Sequence, residues 1–193
     1  MRPRLLLFVL FAVLVGTSTA GATGTLDQSQ TLVTNAKGLR EGFFWAQTFT
    51  AGITGDLDQV NVFLGRVEIG PATGNIVVQI RSVDGNVPSD TVLGSGVIAE
   101  ANVPLLLSAT WVAAPLTSAA VVAGTKYAVV LMANGLNDYD VSSAGDVYSG
   151  GEEYYQQPDA FGSHWFSEGT DMTFQTFVTP SGTNHQCGHR HGH

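Results

Sequence analysis

Apolar and polar residues alternate with period two through several short runs, and turn residues interrupt each run before a helical face could develop. Val60, Val62 and Leu64 share one side of such a run, while Gln59, Asn61 and Phe63 share the other. Ile76, Val78 and Ile80 repeat the pattern, with Gln79 and Arg81 turned outward. Successive side chains of a strand point to opposite faces, so both runs read as half-buried strands. Tyr127, Val129 and Leu131 against Ala128, Val130 and Met132 are apolar on both sides, the pattern of a central strand covered on both faces. Turn signals separate the runs: Ala51-Gly52, Gly70-Pro71, Thr73-Gly74-Asn75, Asp84-Gly85-Asn86-Val87-Pro88, Gly94, Gly96, Ala123-Gly124 and Asn134-Gly135. Asp-Gly and Asn-Gly tolerate the positive φ of tight turns. Strands are expected near 29–34, 43–50, 57–66, 75–83, 92–99, 109–114, 126–133, 146–149 and 172–178. Short strands without a 3.6-residue period predict an all-β fold, an antiparallel two-sheet β-sandwich or jelly roll.

The first residues read as a targeting segment. Arg2 and Arg4 form a basic start, Leu5 to Val15 is continuously apolar, and Ala20-Gly21-Ala22 offers small residues at a cleavage site, the pattern of a secretory signal peptide. The apolar run is about half of the ~20 residues that a membrane-spanning helix needs, and no later run is long enough, so no membrane span is expected in the mature chain. Cleavage after Ala22 removes two of the 8 basic residues and none of the 16 acidic ones, leaving 6 against 16, a net charge of −10. A surface so acidic repels a phosphate backbone, which argues against a nucleic-acid partner. Cys187 is the only cysteine, so no intramolecular disulfide can form and packing must hold the fold. The expected organisation is a signal peptide over 1–22, one β-sandwich domain over 23–179 and a flexible His-rich tail over 180–193.

Two phrases bracket the strand-rich region: Gln47-Thr48-Phe49-Thr50-Ala51-Gly52 and Ala123-Gly124-Thr125-Lys126-Tyr127-Ala128-Val129-Val130-Leu131. Between them lie LDQVNVFLGRV (57–67), PATGNIVVQIRSVDGNVP (71–88) and Trp111 ahead of the next strand. In order and spacing these resemble the bacterial exported modules called choice-of-anchor R domains, over roughly residues 27 to 179. The resemblance implies a secreted or cell-surface β-sandwich, often found beside a C-terminal anchoring signal. The last residues here depart from that pattern, with no apolar tail followed by basic residues.

The most unusual internal stretch runs from 137 to 168, where aromatics interleave with acids and amides. Asp138, Tyr139, Asp140, Tyr148, Tyr154, Tyr155 and Trp165 are the candidate ligand-binding residues. A pyranose stacks its C–H face on Tyr or Trp while carboxylates and amides meet its hydroxyls, so this mixture suits a saccharide. The alternative is that Tyr148, Tyr154 and Trp165 cap the end of the domain, burying their rings and pairing their polar tips. Asn137-Asp138-Tyr139-Asp140 with Asp146 could supply oxygen ligands to Ca2+, although the D-x-[DN]-x-[DN]-G loop is absent. Glu152 and Glu153 raise the question of a glycoside hydrolase, but adjacent residues on a strand point to opposite faces. No G-x-S-x-G or H-E-x-x-H occurs, and no catalytic residue is assigned.

In the tail, His185, Cys187, His189, His191 and His193 alternate with small or polar residues. Imidazole and thiolate suit Zn2+, Ni2+ or Cu2+, and such a segment can wrap an ion without a fold. The sequence therefore points to a secreted or cell-surface non-catalytic β-sandwich module for adhesion or recognition, with saccharide as the expected ligand class. A secreted metal-binding protein acting through the tail is the alternative.

Overall fold

The computed structural model describes residues 24–67, 74–135, 138–159 and 162–182. Among these, thirteen strands form an all-β, antiparallel arrangement, and no helix is long and apolar enough to cross a membrane. The strands are β1 (Thr25–Gln30), β2 (Asn35–Leu39), β3 (Phe44–Thr50), β4 (Gly55–Arg66), β5 (Asn75–Asp84), β6 (Val87–Ile98), β7 (Thr110–Val121), β8 (Lys126–Asn134), β9 (Tyr139–Gly145), β10 (Glu153–Asp159), β11 (Gly162–Ser167), β12 (Thr170–Met172) and β13 (Phe174–Pro180). Hydrogen bonding runs in the order β1-β13-β4-β7-β6-β5-β8-β3-β10-β11, and β9 joins β4 while also pairing with β2 and β12. The sheet curls, because residues from both ends of this order share one apolar cluster: Val60, Val62 and Leu64 from β4 pack with Ile76, Val78 and Ile80 from β5, Val129 and Leu131 from β8, and Phe174 from β13.

The two halves of the sheet meet where β6 crosses onto β7 at the Gly96–Leu116 pair. A side chain on Gly96 would run into the carbonyl oxygen of Pro115, so the close approach of these strands needs glycine there. The β5–β6 turn needs Gly85 for another reason, since its φ of +63° lies in the left-handed region.

The alternating runs behave as the sequence implies. Val60, Val62, Leu64, Ile76, Val78 and Ile80 are fully buried, and β8 lies between β5 and β3 with both faces covered. The outer face of β8 is covered by a second, smaller cluster in which Ala46, Ala128, Val130 and Tyr154 pack with Val83, Met132 and Trp165. The run expected near 29–34 is instead two strands, β1 and β2, with no strand at 31–34 between them, and the other differences fall in the second half of the chain. Residues 146–149 are not a strand, whereas Tyr139–Gly145, Glu153–Asp159 and Gly162–Ser167 are. These three carry polar residues where a core strand would carry aliphatic ones, and Ser142, Ser143, Glu153 and Gln156 are buried nonetheless. For Glu153 the ion pair to Lys37 and the hydrogen bond from Thr170 permit that burial, and local composition does not reveal them, whereas Ser143 Oγ is buried without a hydrogen-bond partner among the described residues.

Tyr139 closes the core beside β4. Its ring is fully buried and its hydroxyl donates to the Gly74 carbonyl oxygen at 2.6 Å. Burial first, and the Glu100 charge second, push its phenol up from the ordinary 10.0 to about 12, with Arg66 opposing. A folded-state pKa raised above the unfolded value supplies stability that is present below about pH 10 and lost as pH rises toward 12. The denaturant midpoint should therefore fall over that window. Tyr139→Phe should flatten the fall while costing about 1 kcal/mol at neutral pH through the lost hydrogen bond, and an unchanged slope in the variant would contradict the assignment.

Candidate functional site

Strand parity and register assemble the candidate site on the outer face of β5, β8, β3, β10 and β11. One row across these strands reads Gln79, Val130, Ala46, Tyr154, Ser167, and the next reads Val77, Met132, Phe44, Gln156, Trp165. Small residues at the centre of the face, Ala46, Ala128 and Val130, leave a floor against which Tyr154 and Trp165 lie from the β10–β11 side. Tyr154 is 6% exposed and Gln156 is also buried.

Two polar clefts open on this face, one on each side of the β5–β6 turn. The first, about 260 Å3, is lined by Thr48, Thr50, Asn86, Lys126, Glu152 and Tyr154, with the Ser149–Gly151 backbone at its rim. Lys126 Nζ donates to Asn86 Oδ1 at 3.3 Å across it, and the Tyr154 hydroxyl donates to Glu152 Oε2 at 3.3 Å. Ser167 Oγ also donates to Glu152, through its other oxygen. Burial, and then the Glu152 charge, hold the Tyr154 phenol above its usual range. The second cleft, about 280 Å3, is bordered by Trp165 and Gln156 on one side and by Asp84, Pro88 and Asp90 on the other. Arg81 lies nearby at only 9% exposure, with Nε donating to Gln79 Oε1 at 2.8 Å and Nη1 at 3.7 Å from Asp90. Each cleft combines an aromatic ring with amide and carboxylate groups, which can stack against an apolar ring face and exchange hydrogen bonds with hydroxyls.

The other sequence-derived candidates lie elsewhere. Tyr155 turns to the inner face, between Trp45 at 5.7 Å and Phe166 at 5.2 Å, the latter pair stacked. Phe166 carries this aromatic row out to solvent at 41% exposure. Tyr148 packs edge-on against Phe174 at 5.3 Å, and its hydroxyl donates to Gln28 Oε1 at 2.7 Å. Burial, with Asp27 and Asp171 adding to it, raises the Tyr148 phenol well above its ordinary value. Tyr139 belongs to the core, as described above. Asp140 pairs across β2 and β4 with Gly38 and Gly65, and burial followed by the Asp138 charge raises its carboxyl. The structure thus brings Tyr154 and Trp165 to one surface and leaves Asp138, Tyr139, Asp140, Tyr148 and Tyr155 away from it.

Glu152 and Glu153 do point to opposite faces: Glu152 into the first cleft, Glu153 into the interior. Asn86, Lys126, Gln156 and Asp84 were not singled out in the sequence. The Asp84-Gly85-Asn86 turn is visible there, but that it reaches the outer face beside β10 is not. Among the described residues no group of three or more His, Cys, Asp or Glu side chains converges. The tail residues His185, Cys187, His189, His191 and His193 lie outside the described residues, as does Asn137. Neither a scan against protein families nor a search of curated proteins finds a match to this chain.

Proposed function

We propose that this chain is an exported, non-catalytic β-sandwich module of the choice-of-anchor R kind, whose curled sheet works as two facing layers and which binds saccharide on its outer face. The observation that carries the reading is the placement of Tyr154 and Trp165 on adjacent strands of one face, each bordering a polar cleft beside the β5–β6 turn. Clefts of about 260 and 280 Å3 are each of the size of a single sugar ring, at the small end for ligand pockets. The basic and apolar start of the chain and the QTFTAG and AGTKYAVVL phrases support export and the family.

A glycan array probed with the mature protein, followed by calorimetry on the best binder, tests this reading. Trp165→Ala and Tyr154→Ala should each weaken binding by about tenfold or more, as truncation of a central aromatic contact does. Tyr155→Ala, on the opposite face, should leave affinity unchanged. A blank array, or a bound glycan indifferent to both outer-face variants, would overturn it.

A further inference from the structure

The interior flank of β10 holds a cluster that the outer face does not use. Glu153 is fully buried, and its Oε2 lies 2.8 Å from Nζ of Lys37 on β2. The same ammonium donates to Glu168 Oε2 at 3.1 Å and to Thr170 Oγ1 at 2.6 Å, and it sits 4.9 Å from the centroid of the Trp45 ring. Thr170 in turn donates its hydroxyl proton to Glu153 Oε2 at 2.6 Å. The second carboxyl oxygen of Glu153, Oε1, is buried without a hydrogen-bond partner among the described residues. An amine, a fully buried carboxyl group and a proton relay thus meet at one site, shielded on one side by an indole ring.

We propose that Lys37 and Glu153 condense into a side-chain amide that links β2 covalently to β10. One proton transfer from Nζ to Oε2 converts the ion pair into the neutral amine and neutral acid that react. The carboxyl of Glu153 is indeed held above its usual range, chiefly by burial, with its bonds to Lys37 and Thr170 acting in the other direction. The neutral nitrogen then attacks Cδ. The Nζ–Cδ bond forms, the Cδ–Oε2 bond breaks, and the second nitrogen proton passes to Thr170 Oγ1 as that hydroxyl gives its own proton to Oε2. Oε2 leaves as water, so charge and atoms balance without an oxidant or a co-reactant. Glu168 acts as a positioning residue, holding the nitrogen against Cδ and offsetting the positive charge on it during addition.

The bond would join residues 116 positions apart in a chain whose single cysteine allows no internal disulfide. β2 pairs with β9, whereas β10 pairs with β3 and β11, so no backbone ladder already joins the two strands.

Mass spectrometry of the purified, then denatured, mature protein is the test. The chain should be lighter than its sequence mass by one water, and a digest should contain a branched peptide joining Lys37 to Glu153. Chain recovered unfolded should have the full mass and lose the water on refolding. Lys37→Arg keeps the positive charge but removes the nucleophile, and should keep the full mass while remaining folded by circular dichroism. Glu153→Gln should form the same amide by losing ammonia in place of water. A full-mass wild-type protein after refolding, or a branch at any carboxyl other than that of Glu153, overturns the proposal.

Discussion

Asp171→Ala should lower the stability of the fold by about 2–5 kcal/mol, because three donors lose one acceptor group at once. Asp171 is fully buried on β12. Its Oδ2 accepts the backbone N–H groups of Val147 and Tyr148, both at 2.7 Å, and its Oδ1 accepts Gln47 Nε2 at 3.0 Å. Gln47 cannot turn to compensate, since its Oε1 already accepts the Met172 N–H at 2.7 Å. Water can replace the acceptor for Val147, whose side chain is 56% exposed, but not for the buried amide of Gln47. At roughly 2–4 °C per kcal/mol for a domain of this size, the melting temperature should fall by about 4–20 °C. Asp171→Asn should fall between the two. With its oxygen toward the loop, its amide would face the Gln47 amide, donor against donor. Thermal melts that place Asp171→Ala within about 2 °C of the parent would show that these bonds contribute little net stability.

The same carboxylate explains where the sequence was readable and where it was not. β4, β5 and β8 were legible because their inward residues are aliphatic, so period two alone identifies the buried face. β9, β10 and β12 bury Ser143, Glu153 and Asp171, which read locally as loop residues. Glu153 and Asp171 are tolerated because Lys37 and Thr170 meet the first and Gln47 meets the second, and Gln47 lies 124 positions from Asp171. Long-range polar satisfaction of that kind has no local periodicity. The candidate site follows the same division. The stretch of aromatics mixed with acids supplies Tyr154 and Trp165 to the outer face, yet Tyr154 and Tyr155 separate to opposite faces by strand parity alone. Recognising β10 as a strand would have made that split predictable. The arrival of Asn86 from the β5–β6 turn and of Lys126 from the start of β8 would still have needed the register of β5, β8 and β3. Arg81 was rightly turned outward by parity, but its near-complete burial depends on neighbours the pattern does not reveal.

Phe49→Ala should be the most damaging single truncation in the core, at about 3–5 kcal/mol. Phe49 is fully buried in the QTFTAG strand, with its ring centroid 6.0 Å from Tyr127 and 6.3 Å from Phe174. Phe174 carries the Tyr148 ring edge-on at its other side, and Tyr148 is the residue whose backbone N–H Asp171 holds. The four residues form one connected column, from β3 through β13 to the loop after β9. Removing Phe49 leaves a cavity beside Phe174, and the strands around it, bonded on both sides, can close only part of it. Phe49→Leu, which keeps most of the volume, should cost about 1.5 kcal/mol or less. Because the column is contiguous, Phe49→Ala and Asp171→Ala should couple by about 0.5–3 kcal/mol in a double-mutant cycle. Denaturant unfolding of the parent, both single variants and the double variant measures that coupling. Strict additivity would mean that Tyr148 and Phe174 pass no strain between the two positions, and that the aromatic column is a set of independent contacts.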